Sequence, residues 1–227
     1  MMETRGSWWV SNPADSSDCD DYTLALQNDT TFAEKFESLN ASAVLNLNYE
    51  KGYVIKNRTA TDYIEMEGNA GEPYIYLSHL GIQIDGFMHS HYTGLNSIFS
   101  ADDIFLMAKI FLTGKARDSA NLFWGVTSSY GDPYLVKITN TAKFRTFAKK
   151  IVSMEENPKK SKRFTSIYNN WFNSKSVTKN EKGFLEMMDD LKVGDGMTLF
   201  RANNTECTQW TKLTLSASGN IITTNCF

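Results

Sequence analysis

The stretch that decides the fold runs from Gly86 to Leu112 and reads Gly86-Phe-Met-His89-Ser-His91-Tyr-Thr-Gly-Leu-Asn-Ser-Ile-Phe-Ser100-Ala-Asp-Asp103-Ile-Phe-Leu-Met-Ala-Lys-Ile-Phe-Leu112. The run Ile82–Met88 is rich in apolar residues and predicts a strand that leads into the two histidines. Ser100 begins a helix that ends before Gly114. Because apolar residues occupy all sides of this helix, we expect it to be buried against a sheet. The stretch therefore predicts an α/β fold.

The two histidines of this stretch predict a metal site. His89 and His91 are two residues apart, so on a strand both imidazoles project from the same face. Asp103 follows Ser100 by one helical turn and can face back towards the end of the strand. Two imidazoles and one carboxylate suit a zinc ion that keeps a fourth position open for water, as in catalytic zinc sites.

A structural interpretation of the same residues stays open. Ser100 and Asp103 have the spacing of a helix-capping pair, and a cap alone would explain both residues. The third histidine, His79, lies outside the cluster and is expected to be structural or exposed. The histidine pair is what makes a metal site the preferred interpretation.

Further elements are predicted on both sides of the motif. Additional strands are expected at Val44–Asn48, Tyr53–Lys56, Tyr74–Leu77, Asn121–Thr127, Tyr134–Ile138, Met197–Arg201, Trp210–Leu215 and Asn220–Thr224. Helices are expected from Thr30 or Thr31 to Leu39 and at Ala142–Met154, Lys162–Phe172 and Glu181–Leu191. A break at Asn157-Pro158 divides the chain into a domain of residues 30–157 and a small α+β extension of residues 158–227.

Composition limits the class of protein. The chain has 227 residues, 41% of them hydrophobic, which is enough for one ordinary core and excludes a disordered tail or a coiled coil. No apolar run approaches the roughly 18 residues that a bilayer span requires, so a soluble protein is expected. The 23 basic and 26 acidic residues provide no positive field, which argues against a nucleic-acid partner.

The N-terminal residues and the cysteines leave the compartment open. Residues 1–29 carry no signal-peptide pattern and are expected to form a flexible leader, in a cytoplasmic protein or a fragment of an exported one. The three cysteines are too few for a disulfide scaffold. Cys207 and Cys226 could pair in an oxidising compartment, and the sequence does not decide between the paired and free states.

Gly86-Phe-Met-His89-Ser-His91 followed by Ser100-x-x-Asp103 resembles the signature of the JAMM (MPN-domain) zinc metallopeptidases. These are peptidases and isopeptidases, including deubiquitinases and bacterial and phage relatives. The resemblance covers about residues 42–140 and implies a mixed, curved sheet flanked by helices, with cytidine-deaminase-like layering. Tyr92 stands where the family usually has proline, and the loop that follows is one residue longer than in the commonest version. Neither difference changes a ligand.

The resemblance also implies roles for five residues. Zn²⁺ would be held by His89, His91 and Asp103, the Ser-x-x-Asp spacing favouring Asp103 over the neighbouring Asp102. Glu50, in Glu50-Lys-Gly52, would be the general base, and Ser100 would donate a hydrogen bond to the oxyanion of the tetrahedral intermediate. Glu65 and Glu67 are the competing candidates for the general base. They lie much nearer to His89 in the sequence than Glu50 does, and the family's spacing disfavours them.

The function expected from this resemblance is hydrolysis of an amide bond in a peptide or protein substrate. Two alternatives stay open, a catalytically silent module that binds partners and a zinc hydrolase of a non-peptide acyl bond. The site chemistry does not distinguish amide from other acyl linkages, so the family resemblance alone favours peptide.

Overall fold

A single mixed sheet of eight strands organises the part of the chain that the structure describes. The structure, a computed structural model, describes residues 29–77, 81–172 and 176–226. The predicted leader, apart from residue 29, and the expectation for His79 therefore lie outside the described residues. The strands are β1 Lys51–Asn57, β2 Asp62–Glu67, β3 Gly86–His91, β4 Phe123–Ser128, β5 Gly131–Ile138, β6 Met197–Ala202, β7 Trp210–Leu215 and β8 Ile221–Asn225.

The strands are arranged in the order β2-β1-β3-β4-β5-β6-β7-β8. Among these strands β3 and β4 are the one parallel pair, and the other neighbours are antiparallel. A parallel pair needs a crossover connection, which here contains the buried helix predicted from the sequence. The general α/β class and the mixed sheet are thereby confirmed.

Helices cover both faces of the sheet. They are α1 Thr30–Asn40, α2 Ser42–Leu45, α3 Ala101–Leu112, α4 Thr141–Glu155, α5 Pro158–Phe172 and α6 Val177–Asp190. Helix α3 packs with α4 and α5, and α6 packs with α5 and β7. None of the helices in the described ranges is long and apolar enough to cross a membrane.

The alternation of side chains along β3 connects these layers to the motif. Phe87 belongs to the large apolar cluster that includes the buried residues of α3, whereas Met88 belongs to a second cluster that includes Phe36 of α1. Because the side-chain period of a strand is two, His89 and His91 share the face of Phe87. Both imidazoles therefore face the layer that contains α3.

A glycine on β1 allows close approach to β3 beside the first histidine. Gly52 pairs with His89 across the two strands. A Cβ atom on Gly52 would lie 2.7 Å from the carbonyl oxygen of Met88, which is too close for any other residue without a backbone shift. The pairing places Glu50, which directly precedes β1, at the same end of the sheet as His91.

Two predicted strands are wrong. The segment Val44–Asn48 overlaps α2. This short helix ends at Asn46, whose backbone N–H donates to the carbonyl oxygens of Ser42 and Val44. Tyr74–Leu77 shows the alternation of a half-buried strand, with Ile75 and Leu77 buried, but it pairs with no described strand. In both segments apolar side chains such as Leu45, Ile75 and Leu77 are buried by packing, although the backbone forms no strand.

Other elements differ in their bounds or were missed. Strand β2 is not among the predicted strands; it lies at an edge of the sheet and carries the charged residues Asp62, Glu65 and Glu67. The strand predicted from Ile82 begins at Gly86 and continues to His91. Asp29, rather than Thr30 or Thr31, caps α1 by accepting a hydrogen bond from the backbone N–H of Phe32.

The C-terminal third contains helices and strands, as predicted, and its strands extend the same sheet through the β5–β6 pair. The proposed boundary near residue 157 stays a prediction.

Cys207 is a free, buried thiol and Cys226 is disulfide-bonded, so these two cysteines do not pair with each other.

Candidate metal centre

Four buried side chains from three parts of the fold meet at one end of β3. The exposed fractions are 2% for Glu50, 1% for His89, 2% for His91 and 8% for Asp103. Histidine and carboxylate side chains are seldom so buried unless they are paired or bind a metal ion. The structure brings together these four residues of the sequence-based prediction.

The Nε2 atoms of the two histidines lie close to each other and to the carboxylate of Asp103. The Nε2 atoms of His89 and His91 lie 3.2 Å apart. Asp103 places Oδ1 at 3.0 Å from His89 Nε2 and Oδ2 at 3.4 Å from His91 Nε2. A tetrahedral zinc ion with bonds of 2.0–2.1 Å sets its ligand atoms about 3.3 Å apart. The distance between the two imidazole nitrogens, and that from each nitrogen to its nearer Asp103 oxygen, are therefore close to the separation of zinc ligands.

Glu50 lies slightly farther from the imidazoles. Its Oε1 is 3.8 Å from His91 Nε2, and the ligand atoms of Glu50, His89 and His91 all lie within 4.8 Å of one another. These three residues form a group that could hold a metal ion. Asp103 lies closer to both imidazoles than Glu50 does, which is the reason for proposing Asp103 rather than Glu50 as the third ligand.

Backbone contacts fix the position of Glu50. The carbonyl oxygen of Glu50 accepts a hydrogen bond of 2.8 Å from the Gly68 N–H. The next residue, Lys51, donates its backbone N–H to Ser90 Oγ at 3.0 Å. Because Ser90 stands between the two histidines on β3, this bond ties the start of β1 to the histidine pair. The position of Glu50 is thus set by β2 and β3 together.

The second nitrogen of each histidine has a different environment. His91 Nδ1 lies 2.8 Å from the Asn96 carbonyl oxygen, which can only accept, so Nδ1 carries a hydrogen and Nε2 faces the cluster. The His89 ring stacks on Phe87 with centroids 5.2 Å apart. Its Nδ1 is buried without a hydrogen-bond partner in the described part of the chain.

Ser100 and Asp103 form the capping box that the structural interpretation expected. Ser100 Oγ accepts a hydrogen bond from the Asp103 backbone N–H at 3.2 Å, and the Ser100 backbone N–H donates to Asp103 Oδ2 at 2.6 Å. The Ser100 hydroxyl also donates to Oδ2 at 2.8 Å. Capping and metal ligation are compatible, because the cap is what aims the Asp103 carboxylate at the histidines.

The competing carboxylates lie elsewhere. Glu65 and Glu67 of β2 have half-exposed side chains that pair with Lys51 Nζ at 2.7 and 3.0 Å. Asp102 is exposed on the first turn of α3, while Asp103 is buried. The geometry therefore favours Glu50 and Asp103 over the alternatives weighed from the sequence.

The charges in the cluster depend on one another. Burial raises the pKa of Asp103, but the neighbouring His89 and His91 outweigh burial and hold this pKa well below its usual value. Burial raises the pKa of Glu50, and the imidazoles offset that effect only in part. Burial lowers the pKa of His91, but Asp103 and Glu50 outweigh it and raise the pKa to about 9.

The raised pKa of His91 predicts that metal binding releases a proton. Without metal, His91 is protonated at neutral pH, and it must lose the proton on Nε2 before it can bind an ion. The zinc affinity should therefore rise about tenfold for each pH unit up to about pH 9. Titration calorimetry measures the heat of zinc binding at pH 7 in two buffers of different ionisation enthalpy. The two heats should differ by about the difference between these ionisation enthalpies, which corresponds to the release of one proton. Equal heats in both buffers would contradict the raised pKa of His91 in the metal-free protein.

The contribution of Asn96 could not be predicted from the sequence, because a backbone carbonyl leaves no signal in residue type.

Comparisons with other proteins add no further assignment: the chain matches no protein-family model, no curated protein and no solved structure. The resemblance to JAMM metallopeptidases stays a prediction that rests on the motif residues.

Proposed function

We propose that the protein is a zinc-dependent hydrolase that cleaves a peptide or isopeptide amide bond. The observation that carries the proposal is the close approach of His89, His91 and Asp103, whose donor atoms are about as far apart as the ligands of one zinc ion, with Glu50 beside them. Three protein ligands leave a fourth position for water, which is typical of catalytic rather than structural zinc sites. A zinc ion held by these residues would supply Lewis-acid activation of water and of the scissile carbonyl group.

The chain's own residues divide the remaining work. Glu50 would take a proton from the attacking water on Oε1 and return it to the leaving amine. Its raised pKa, caused by burial, suits a carboxylate that must hold a proton briefly. Ser100 would donate its hydroxyl hydrogen to the oxyanion, which requires it to give up its hydrogen bond to Asp103.

A largely apolar groove next to helix α3 offers a surface for a substrate side chain, and none of the five proposed site residues lines it. The groove encloses about 510 Å³, the size range of ligand pockets. It runs between the segment Tyr74–Leu77 and helix α3, and Asp102, next to the ligand Asp103, lines it. Tyr76 is more than half exposed at this groove. Such a surface suits an apolar side chain of a peptide. The preference for a peptide over a small acyl compound rests on the motif resemblance.

The proposal is tested by profiling peptide, isopeptide and ester libraries with the full chain. The zinc-loaded protein should cleave amide-linked substrates, lose this activity after chelation and regain it when zinc is added back. Cleavage of esters alone would instead identify an acyl hydrolase. Stoichiometric zinc binding without cleavage of any library would identify a silent binding module. Activity that survives complete removal of metal would overturn the proposal.

A further inference from the structure

The loop that joins the two halves of the metal centre is held by the C-terminal helices. This ligand loop, residues 92–99, leads from His91 to the Ser100 cap and so sets the position of Asp103 relative to the histidines. Helices α5 and α6 lie beyond the region of the family resemblance. Each of them places one fully buried polar side chain on the ligand loop.

The first of these side chains is Asn180 of α6. It is 0% exposed, and its Nδ2 donates a hydrogen bond of 2.7 Å to Ser97 Oγ. Ser97 is itself buried and directly follows Asn96, whose carbonyl oxygen accepts from His91 Nδ1 at 2.8 Å. A path of two hydrogen bonds and one peptide unit thus connects α6 to the imidazole of His91.

The second side chain is Tyr168 of α5, which is also 0% exposed. Its hydroxyl donates a hydrogen bond of 3.2 Å to the carbonyl oxygen of Phe99. Phe99 directly precedes Ser100, the residue that caps α3 and aims Asp103. Burial and then the Asp103 charge raise the pKa of Tyr168, so the hydroxyl remains a donor at any physiological pH.

An aromatic contact reinforces this attachment. The ring of Phe184, one turn after Asn180 on α6, lies 5.7 Å from the ring of Phe99. The loop is therefore contacted by apolar and polar groups of the same helix. The polar contacts are directional, and directional bonds fix orientation more closely than apolar packing does.

We infer that Asn180 and Tyr168 are positioning residues of the metal centre, through which the C-terminal third sets the zinc affinity. The inference rests on the proposed zinc site. Groups that orient metal ligands without touching the metal typically change metal affinity 10–100-fold when they are removed. Asn180 would act on the His91 ligand and Tyr168 on the Asp103 ligand.

A neighbouring pair provides a matched control. Tyr134 of β5 is as buried as Tyr168, and its hydroxyl donates to Glu181 Oε1 at 2.9 Å. Glu181 follows Asn180 on α6, and its Oε1 also accepts a hydrogen bond from Arg201 Nη1. Neither of these two partners of Glu181 belongs to the ligand loop. Tyr134→Phe thus removes one buried hydroxyl from the same helix packing without touching the metal centre.

The test measures the zinc dissociation constant of the full chain by chelator competition, together with the melting temperature of the metal-free protein. Tyr168→Phe and Asn180→Ala should each weaken zinc binding about tenfold or more. Tyr134→Phe should lower the melting temperature but leave the dissociation constant within about twofold of wild type. The Co²⁺ absorption spectrum should change in the two loop variants and not in the control.

Three results bear on the inference. Dissociation constants and Co²⁺ spectra of Tyr168→Phe and Asn180→Ala that match the control would overturn it while leaving the zinc site intact. If Asn180→Ala does not fold, Tyr168→Phe, which removes a single oxygen atom, decides the question alone. A wild-type chain that binds no zinc would overturn both this inference and the proposed function.

Discussion

His89→Ala should abolish zinc binding and hydrolysis together while the sheet remains folded. His89 is proposed as one of three ligands, and its Nε2 lies closer to the Asp103 carboxylate than His91 Nε2 does, at 3.0 Å against 3.4 Å. Since removal of a group that merely orients a ligand costs 10–100-fold in affinity, removal of a ligand should cost more than about 100-fold. Zinc content by mass spectrometry and turnover of an amide substrate measure the two losses, and circular dichroism measures the fold.

A second buried substitution separates loss of metal from loss of packing. Leu135→Ala removes a fully buried side chain from the opposite face of the sheet, in the cluster that contains Met88. It should destabilise the protein by about 2–5 kcal/mol and leave zinc bound with an unchanged dissociation constant. An active His89→Ala variant with one zinc per chain would contradict the assignment of His89.

Glu50→Gln should leave zinc in place and lower kcat by about 10²–10⁴-fold. The amide has nearly the shape of the carboxylate but cannot take a proton from water. Its effect should fall on kcat, because Glu50 is assigned to proton transfer rather than to substrate binding. Steady-state kinetics on the zinc-loaded variant, with metal content measured on the same sample, test both parts of this expectation.

Glu65→Gln is the matched control for this change. Glu65 lies on β2 with a half-exposed side chain paired with Lys51, away from the histidines. Its substitution should alter neither zinc content nor kcat. Loss of zinc in Glu50→Gln would instead make Glu50 the third ligand in place of Asp103, and unchanged cleavage would remove it as the base.

The centre of the fold could be predicted because two local signals agree. The all-round apolar character of Ile104–Leu112 indicates a buried helix, and the spacing of His89 and His91 places both imidazoles on one face of a strand. Both signals depend on residues close in sequence. They therefore survive without knowledge of the rest of the chain, and the structure shows α3 and β3 where these signals lie.

The remaining differences come from contacts that a local pattern does not encode. Strand β2 is an edge strand whose outer residues are charged, so its sequence lacks the apolar run of an inner strand. Three of the five residues of Val44–Asn48 are apolar, but its first two residues belong to the short helix α2, which contacts β3.

The attachments of the ligand loop could not be predicted for a different reason. Asn180 and Ser97 are 83 residues apart, and Tyr168 and Phe99 are 69 apart. Nothing in the residue types of α5 or α6 points to the loop, since buried asparagine and tyrosine side chains can be satisfied by many partners. Only the packing of α5 against α3 and of α6 against α5 makes the connection visible.

The most direct test is a crystal structure of the zinc-loaded protein with anomalous diffraction measured at the zinc absorption edge. We expect one zinc ion per chain, bonded at about 2.0–2.2 Å to His89 Nε2, His91 Nε2 and one oxygen of Asp103, with Glu50 within reach of the fourth position. An ion bound away from these side chains, or imidazoles that remain in contact with each other in saturating zinc, would contradict it.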